Sequence, residues 1–331
     1  MHRPTTLVKL ALCSLFALVT ATAPAQEVSL GGARQKITTA SAVRVRTAPE
    51  TGAAEVTRLN LGTLLSADAR SAEQTEIGSK KDYWYHVALP GGEQGWVFGA
   101  LLADFDPRRG SETVLRIAEE RLSVEEMSPA DSLDLFNFVE GAVADARGPA
   151  QDELERVRLH ALDRAARAMG VDDKGRLSDA EFQKAHAREI YYHELAGGWG
   201  VKPEAFWKLE TKYRGTTLGD RIAWEASQAL YPGECESDEV CQFLRLQDTQ
   251  GRYLALYPAG AHASEALQNI KEALASQQLD DSLKNKGGDQ YVRQEQAALR
   301  KALAELRAAV SKASAPEKAD ILRRLEQLSA H

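Results

Sequence analysis

The sequence has little of what nucleic-acid binding or disulfide-rich architecture requires. Its 331 residues include 3 cysteines, and 41 lysines and arginines stand against 48 aspartates and glutamates, a net charge of −7. Because DNA and RNA binding needs a concentrated basic face, an acidic chain without a Lys/Arg cluster excludes nucleic acid as the leading partner. Hydrophobic residues make up 44% and charged residues 27%, a balance that excludes disordered and fibrous classes.

Sequence motifs of common enzyme classes are also absent. The chain contains no HExxH, GxSxG, GxxxxGKS or GxGxxG pattern, the motifs of zinc proteases, serine hydrolases and nucleotide-binding enzymes. A cell-wall hydrolase would need a Cys/His pair or a zinc-ligand set, and neither is evident. We therefore expect a protein that is not an enzyme and that uses no cofactor.

Two segments partly match metal-binding patterns. His186, Glu189 and His193 would share one face of a helix, but no fourth ligand is evident. Residues 172–177 followed by Glu181 mimic part of a calcium loop, yet Gly170 and Lys174 fall where ligating oxygens belong. We predict no metal site in either segment.

The N-terminus predicts export. Arg3 and Lys9 flank the start of an apolar run over residues 7–19, and the small residues Ala23 and Ala25 precede Gln26, which is typical of a secretory signal peptide at residues 1–25. The run is shorter than the roughly 20 apolar residues that span a bilayer, and no later segment is more apolar. We expect a periplasmic protein with no membrane span. Because Arg3 and Lys9 leave with the signal peptide, the net charge of the mature chain is −9.

Export bears on the cysteines, because disulfides form and persist in exported proteins. Cys13 leaves with the signal peptide, so the mature chain keeps Cys235 and Cys241. Two cysteines close together in an exported chain predict one disulfide. Zinc would need two further ligands, and no second pair is present.

The hydrophobic pattern divides the mature chain. Residues 26–35 are Gly-rich and are predicted to be a linker, and the short β-type runs that follow predict a small all-β barrel at 36–106. A mostly α-helical domain is predicted at 107–279, and leucines at heptad-like spacing predict a C-terminal helical hairpin at 280–331. An intermolecular coiled coil is the alternative for that last segment. The predicted strands cover residues 43–46, 56–61, 64–67, 83–89 and 94–98.

Local signals mark several elements of the helical domain. Ser128, Pro129 and Asp131 predict a capped helix start, and Ser178 with Glu181 predicts another. Residues 189–202 are ambiguous, but aromatic runs on both sides of Ala196-Gly197-Gly198 favour a β-hairpin over a helix.

Four sequence blocks give the barrel a family resemblance. They are Val43-Arg44-Val45-Arg46-Thr47-Ala48-Pro49, Leu59-Asn60-Leu61-Gly62, Tyr83-Trp84-Tyr85-His86-Val87 and Gly91-Gly92-Glu93-Gln94-Gly95-Trp96-Val97. In order and spacing they resemble the bacterial SH3 family, with a polar insertion at residues 68–82. The resemblance implies a non-catalytic module that binds cell wall or peptides. More weakly, residues 253–267 resemble a tetratricopeptide-type helix junction, and the region from Ser111 is similar to uncharacterised helical domains of exported SH3 proteins.

The barrel carries more aromatic residues than its interior needs. These surplus aromatics, beside Arg46, are candidates for a peptide or glycan groove, and we expect Val45, Leu61, Val87 and Val97 to point inward. The alternative is that Trp84 and Trp96 are largely core residues. The predicted ligand-binding residues are Arg46, Tyr83, Trp84, Tyr85, Trp96 and Phe98.

Together these features predict an exported binding or scaffold protein. Its barrel would bind a peptidoglycan or peptide ligand, and its helical domain would contact an envelope protein partner. The alternative is an envelope assembly factor whose helical domain carries the function while the barrel is structural. Solvent exposure of Trp84 and Trp96 distinguishes the two hypotheses.

Overall fold

A computed structural model describes the chain from residue 27 to residue 330, apart from residues 173, 175, 237, 277, 278, 280–282, 284–289 and 315. The predicted signal peptide and most of the polar segment at 280–289 lie outside the described residues.

The N-terminal part is an antiparallel β-structure. The strands are β1 (Glu27–Thr38), β2 (Val43–Arg46), β3 (Glu55–Leu59), β4 (Leu64–Ser71), β5 (Thr75–Ile77), β6 (Lys80–Asp82), β7 (Trp84–Ala88), β8 (Gln94–Phe98) and β9 (Leu102–Asp104). The main sheet has the strand order β3–β2–β8–β7–β4–β1–β9, while β5 and β6 pair with each other as a separate hairpin. The predicted strands coincide with β2 and β8 and differ by a few residues from β3, β4 and β7, whereas β1, β5, β6 and β9 were not predicted.

Aliphatic side chains fill the interior of this sheet. Alternate residues of β2 point inward, so Val43 and Val45 are buried while Arg44 is exposed, as the two-residue period of a strand requires. The expected inward positions of Val45, Val87 and Val97 are confirmed. The barrel core consists of Val43, Val45, Leu59, Leu65, Ala67, Val87, Leu89 and Val97.

The predicted linker at residues 26–35 is wrong, because residues 27–38 form β1. This strand pairs with β4 from Glu27↔Ser71 to Ile37↔Leu64, with a break in register between Ser29 and Arg34. Gly31 and Gly32 occupy the break with φ of 71° and 150°, which suits a bulge. Backbone pairing needs no apolar side chains, so a Gly-rich, solvent-facing strand resembles a linker in sequence.

From Gly110 onward the chain is mostly helical. The helices are α1 (Gly110–Leu122), α2 (Pro129–Asp145), α3 (Pro149–Ala168), α4 (Ala180–His186), α5 (Pro203–Tyr213), α6 (Thr217–Gln228), α7 (Glu239–Leu246), α8 (Arg252–Leu256), α9 (Ala263–Ser276), α10 (Gln290–Lys312) and α11 (Lys318–Ser329). A π-helical turn at Gln247–Gly251 joins α7 to α8. Ser128 caps α2 as predicted, whereas α4 is capped by Asp179 rather than Ser178.

The ambiguous segment is a β-hairpin, as favoured, with strands β10 (Ile190–His193) and β11 (Gly198–Val201). His193 therefore does not share a helix face with His186. Its Nε2 lies 3.1 Å from the carbonyl oxygen of Tyr231, and His186 Nδ1 lies 3.6 Å from Glu189. The single helix face on which His186, Glu189 and His193 would have stood together does not form in this part of the described chain.

The predicted disulfide between Cys235 and Cys241 is present, with Cα atoms 5.3 Å apart. It closes the loop before α7, where the Asp238 side chain accepts a hydrogen bond from the Cys241 backbone N–H. The C-terminal helices α10 and α11 contact each other, α10 also contacts α7 and α8, and α11 contacts α9. Their leucine stripe is buried in the same core as the preceding helices, so these helices are continuous with the helical region rather than a separate unit.

The turn after β3 connects the barrel to helix α2 by a hydrogen bond and a close packing contact. The Leu61 backbone N–H donates to Asp134 Oδ2 of α2 at 2.8 Å, and the Phe138 ring lies where a Cβ on Gly62 would be. Leu61 was expected in the barrel core, but it packs with Ile37 into the core of the helices. It lies beyond the last residue of β3, so the strand alternation does not apply to it.

A partly buried ion pair between α3 and the residue before β10 predicts acid sensitivity. Arg158 of α3 donates to both Glu189 oxygens at 2.7 and 3.0 Å; burial acts to raise the pKa of Glu189, but Arg158 outweighs it and lowers the pKa below 4.5. A carboxylate with a lowered folded-state pKa stabilises the fold at neutral pH and loses that contribution as the pH falls through its folded pKa.

We therefore expect Glu189→Gln to destabilise the protein at pH 7 and to match the wild type increasingly well below about pH 4. Urea unfolding of both proteins across this range measures the difference. A gap between the two proteins that stays constant with pH would contradict the assignment.

Candidate functional site

A second apolar cluster lies on the outer face of β7 and β8. Trp84 pairs with Phe98, and His86 pairs with Trp96, so these four side chains project from the same side of the sheet, opposite the barrel core. The Trp84 and Phe98 ring centroids are 5.6 Å apart. We call Trp84, Trp96 and Phe98 the aromatic face. None of its three members belongs to the barrel core.

The aromatic face is covered. Trp84, Trp96 and Phe98 are 2%, 6% and 5% exposed. Ile77 of β5 packs against the cluster, together with Ala100 and Leu101 after β8. Trp84 and Trp96 are therefore buried, as the alternative interpretation expected. Ligand binding by the three rings stays a prediction.

The cover is the insertion noted in the sequence. Residues 68–82 contain the end of β4 and the whole of the β5–β6 hairpin. The Trp84 indole Nε1–H donates to Thr75 Oγ1 at 3.1 Å, and the Trp84 backbone N–H donates to Ser71 Oγ at 3.0 Å. Apolar packing of Ile77 and the hydrogen bond to Thr75 thus hold the hairpin against the rings, while Ser71 ties the end of β4 to Trp84.

Polar groups border the aromatic face beside Trp96. Arg46 pairs with Trp96 and donates through Nη1 to the Ala53 carbonyl oxygen at 2.7 Å. The His86 ring centroid is 5.3 Å from that of Trp96, and His86 Nδ1 lies 2.8 Å from Asp68 Oδ1. We call Arg46 and His86 the polar rim. Sequence reasoning missed His86 and Asp68, although His86 stands between the predicted aromatics at strand spacing.

Tyr83 and Tyr85 occupy a different place. The Arg70 guanidinium lies 3.9 Å from the Tyr83 ring centroid, and Lys36 Nζ lies 4.3 Å from the Tyr85 ring centroid. Tyr85 packs against the barrel core rather than the aromatic face. The structure therefore divides the six predicted residues between two surfaces: Arg46 lies with the three aromatic-face rings, and the two tyrosines lie apart under cations.

The chemistry of this region suits binding. Aromatic rings offer apolar surface to sugars or side chains, while the Arg46 guanidinium donates hydrogen bonds to carboxylates or carbonyls. His86 is held by a carboxylate that orients its ring. In the described part of the chain, no helix is both long enough and apolar enough to cross a membrane.

Comparison with known proteins identifies the β-region. Residues 41–103 match the family model of the bacterial SH3 domain, a range that runs from just before β2 into β9. No curated protein matches the chain. This domain suggests a ligand-binding role that is often related to the cell wall, and together with the disulfide it points to an extracytoplasmic protein. Residues 41–103 are thus a bacterial SH3 domain, and a mostly helical region follows it.

Proposed function

We propose that this is a periplasmic binding protein without enzymatic activity. Its SH3 domain binds a peptide or cell-wall ligand at the aromatic face and polar rim, and its helical region contacts an envelope protein.

The observation that carries the proposal is the separation of the two apolar clusters. The barrel core is built from aliphatic side chains, so Trp84, Trp96 and Phe98 are not needed to fill it. Three large aromatics on the outer face of a small sheet, next to an arginine and a histidine, have the composition of protein binding sites.

An assembly factor with a structural barrel is the second candidate. The low exposure of Trp84 and Trp96 favours it, and so does the attachment of the barrel to α2 through Leu61 and Asp134. In that function the helical region alone contacts the partner, and the polar rim has no role.

Sedimentation with peptidoglycan sacculi tests the first candidate. We expect the purified protein to sediment with sacculi. Arg46→Ala or His86→Ala should each weaken binding about tenfold, because each substitution removes a charged or ionisable side chain that would hydrogen-bond the ligand. Arg116→Ala is the control, since Arg116 is an exposed arginine on α1 that pairs with Glu120.

Circular dichroism shows whether each variant is folded. If the wild type does not sediment, sacculi are not the ligand. If both rim variants sediment as well as the wild type, the binding site lies elsewhere on the chain, and the assembly-factor function is favoured.

A further inference from the structure

The β5–β6 hairpin has two different faces. On β5, Thr75 and Ile77 point to the aromatic face, while Glu76 between them is exposed. This alternation is that of a strand lying on an apolar surface. The hairpin therefore contacts the rings as a bound peptide strand would, although it belongs to the same chain.

The hairpin is weakly integrated in the barrel. Among the described strands, β5 and β6 pair only with each other. Two-stranded hairpins are at best marginally stable on their own, so contacts with neighbouring residues such as Trp84 hold this one in place. Such a segment can detach without breaking the ladder of the main sheet.

We propose that the hairpin is an intramolecular substitute for an extended peptide ligand, and that this ligand binds the aromatic face by displacing it. The inference rests on the proposed function, because it concerns the same site. It adds the class of ligand and the step that controls access.

The contacts of the hairpin define the ligand. A displacing peptide needs a hydrogen-bond acceptor where Thr75 Oγ1 receives the Trp84 indole N–H. It needs an aliphatic side chain two residues later, where Ile77 covers the rings. An extended strand meets both requirements, since residues i and i+2 lie on the same face. A flat polar glycan chain lacks the aliphatic branch.

Displacement lowers the apparent affinity for any ligand. When only a fraction of molecules is open, the apparent Kd equals the intrinsic Kd divided by that fraction. Ile77→Asp places a charge against the aromatic face, which Ile77 covers, and it should open the hairpin. Because minor states commonly reach at most a tenth of the population, opening should tighten ligand binding roughly tenfold or more.

The test uses the hairpin itself as the probe. A fluorescein-labelled peptide with the sequence of residues 72–82 is titrated into the full-length wild type and into Ile77→Asp, and binding is followed by fluorescence anisotropy. We expect roughly tenfold or greater tightening for Ile77→Asp. Glu76→Gln is the matched control, because Glu76 lies on the same strand but faces solvent, and it should behave as the wild type.

Two further measurements make the result decisive. The Trp84 indole N–H signal in the NMR spectrum should exchange faster with solvent in Ile77→Asp, and a peptide carrying Thr75→Val and Ile77→Asp should not bind. Thr75→Val in the protein is a milder opening variant if Ile77→Asp does not fold. Equal peptide affinity for wild type and opened variants, or no binding to a variant whose Trp84 signal shows opening, overturns the proposal.

Sacculi distinguish this inference from the proposed function. If the wild type sediments with sacculi and the opened variant gains nothing in either assay, the binding function stands and the hairpin has no controlling role. If the peptide binds the opened variant but no protein sediments with sacculi, the hairpin proposal stands and a wall ligand is excluded. Tighter sedimentation of the opened variant without binding of the probe peptide would place the ligand in the cell wall and overturn the proposal that it is an extended peptide resembling the hairpin.

Discussion

Gly62→Ala should lower the free energy of unfolding by about 3 kcal/mol. Gly62 has a φ of +80°, and a Cβ there would overlap the ring of Phe138 on α2. The substitution therefore adds backbone strain of about 1–2 kcal/mol to overpacking of about 1–3 kcal/mol. Urea unfolding measures the loss, and a single cooperative transition would show that barrel and helices unfold together.

Gly215→Ala separates the two causes. Gly215 also has a φ of +80°, but nothing lies within 4 Å of a Cβ at that position, so its loss should reflect backbone strain alone. Shrinking the ring with Phe138→Leu should relieve part of the Gly62→Ala loss but none of the Gly215→Ala loss. Equal losses in both glycine variants would show that Phe138 adjusts freely and that the contact between barrel and α2 is loose.

Arg214→Met should destabilise the helical region by about 3 kcal/mol. Glu210 of α5 is fully buried, and it accepts two hydrogen bonds from Arg214 at 3.0 and 2.8 Å. Tyr257 donates a third at 2.9 Å, and burial together with Glu210 raises the pKa of Tyr257 to about 12, so its hydroxyl remains a donor at neutral pH. Without Arg214, the buried carboxylate keeps only this neutral partner.

We expect an effect at the low end for a buried pair, because half of the Arg214 side chain is exposed and water screens it. Thermal unfolding measures the loss. Arg323→Ala is the control, since Arg323 pairs with Asp320 while 69% exposed, and its loss should stay below about 1 kcal/mol. Combining Arg214→Met with Glu210→Gln should recover most of the stability, because no charge is then buried; failure to recover would assign the loss to packing.

Local patterns predicted a large part of the fold. Strands β2 and β8 lie where alternation placed them, the Ser128 cap begins α2, and the glycines at 197 and 198 mark the β10–β11 hairpin. In each case the informative sequence pattern spans only a few positions. The cysteine pair belongs to the same class, since six residues separate Cys235 from Cys241.

Strand β1 could not be predicted in this way. Its Gly-rich sequence has no apolar alternation, and its stability comes from backbone pairing with β4, more than 25 residues away. Leu61 is a second example. It belongs to a barrel motif, yet its side chain is buried by the helices, and no pattern in the turn itself identifies Asp134 as its hydrogen-bond partner.

The candidate site shows the same division. Sequence patterns alone were sufficient to identify a bacterial SH3 domain, its surplus of aromatic residues and the insertion before Trp84. The packing of distant segments was needed to show that the insertion folds over the aromatic face, that Arg46 and His86 border this face, and that the tyrosines lie elsewhere. The physical reason is that periodicity determines which residues share a face, whereas burial depends on which distant segment packs against that face.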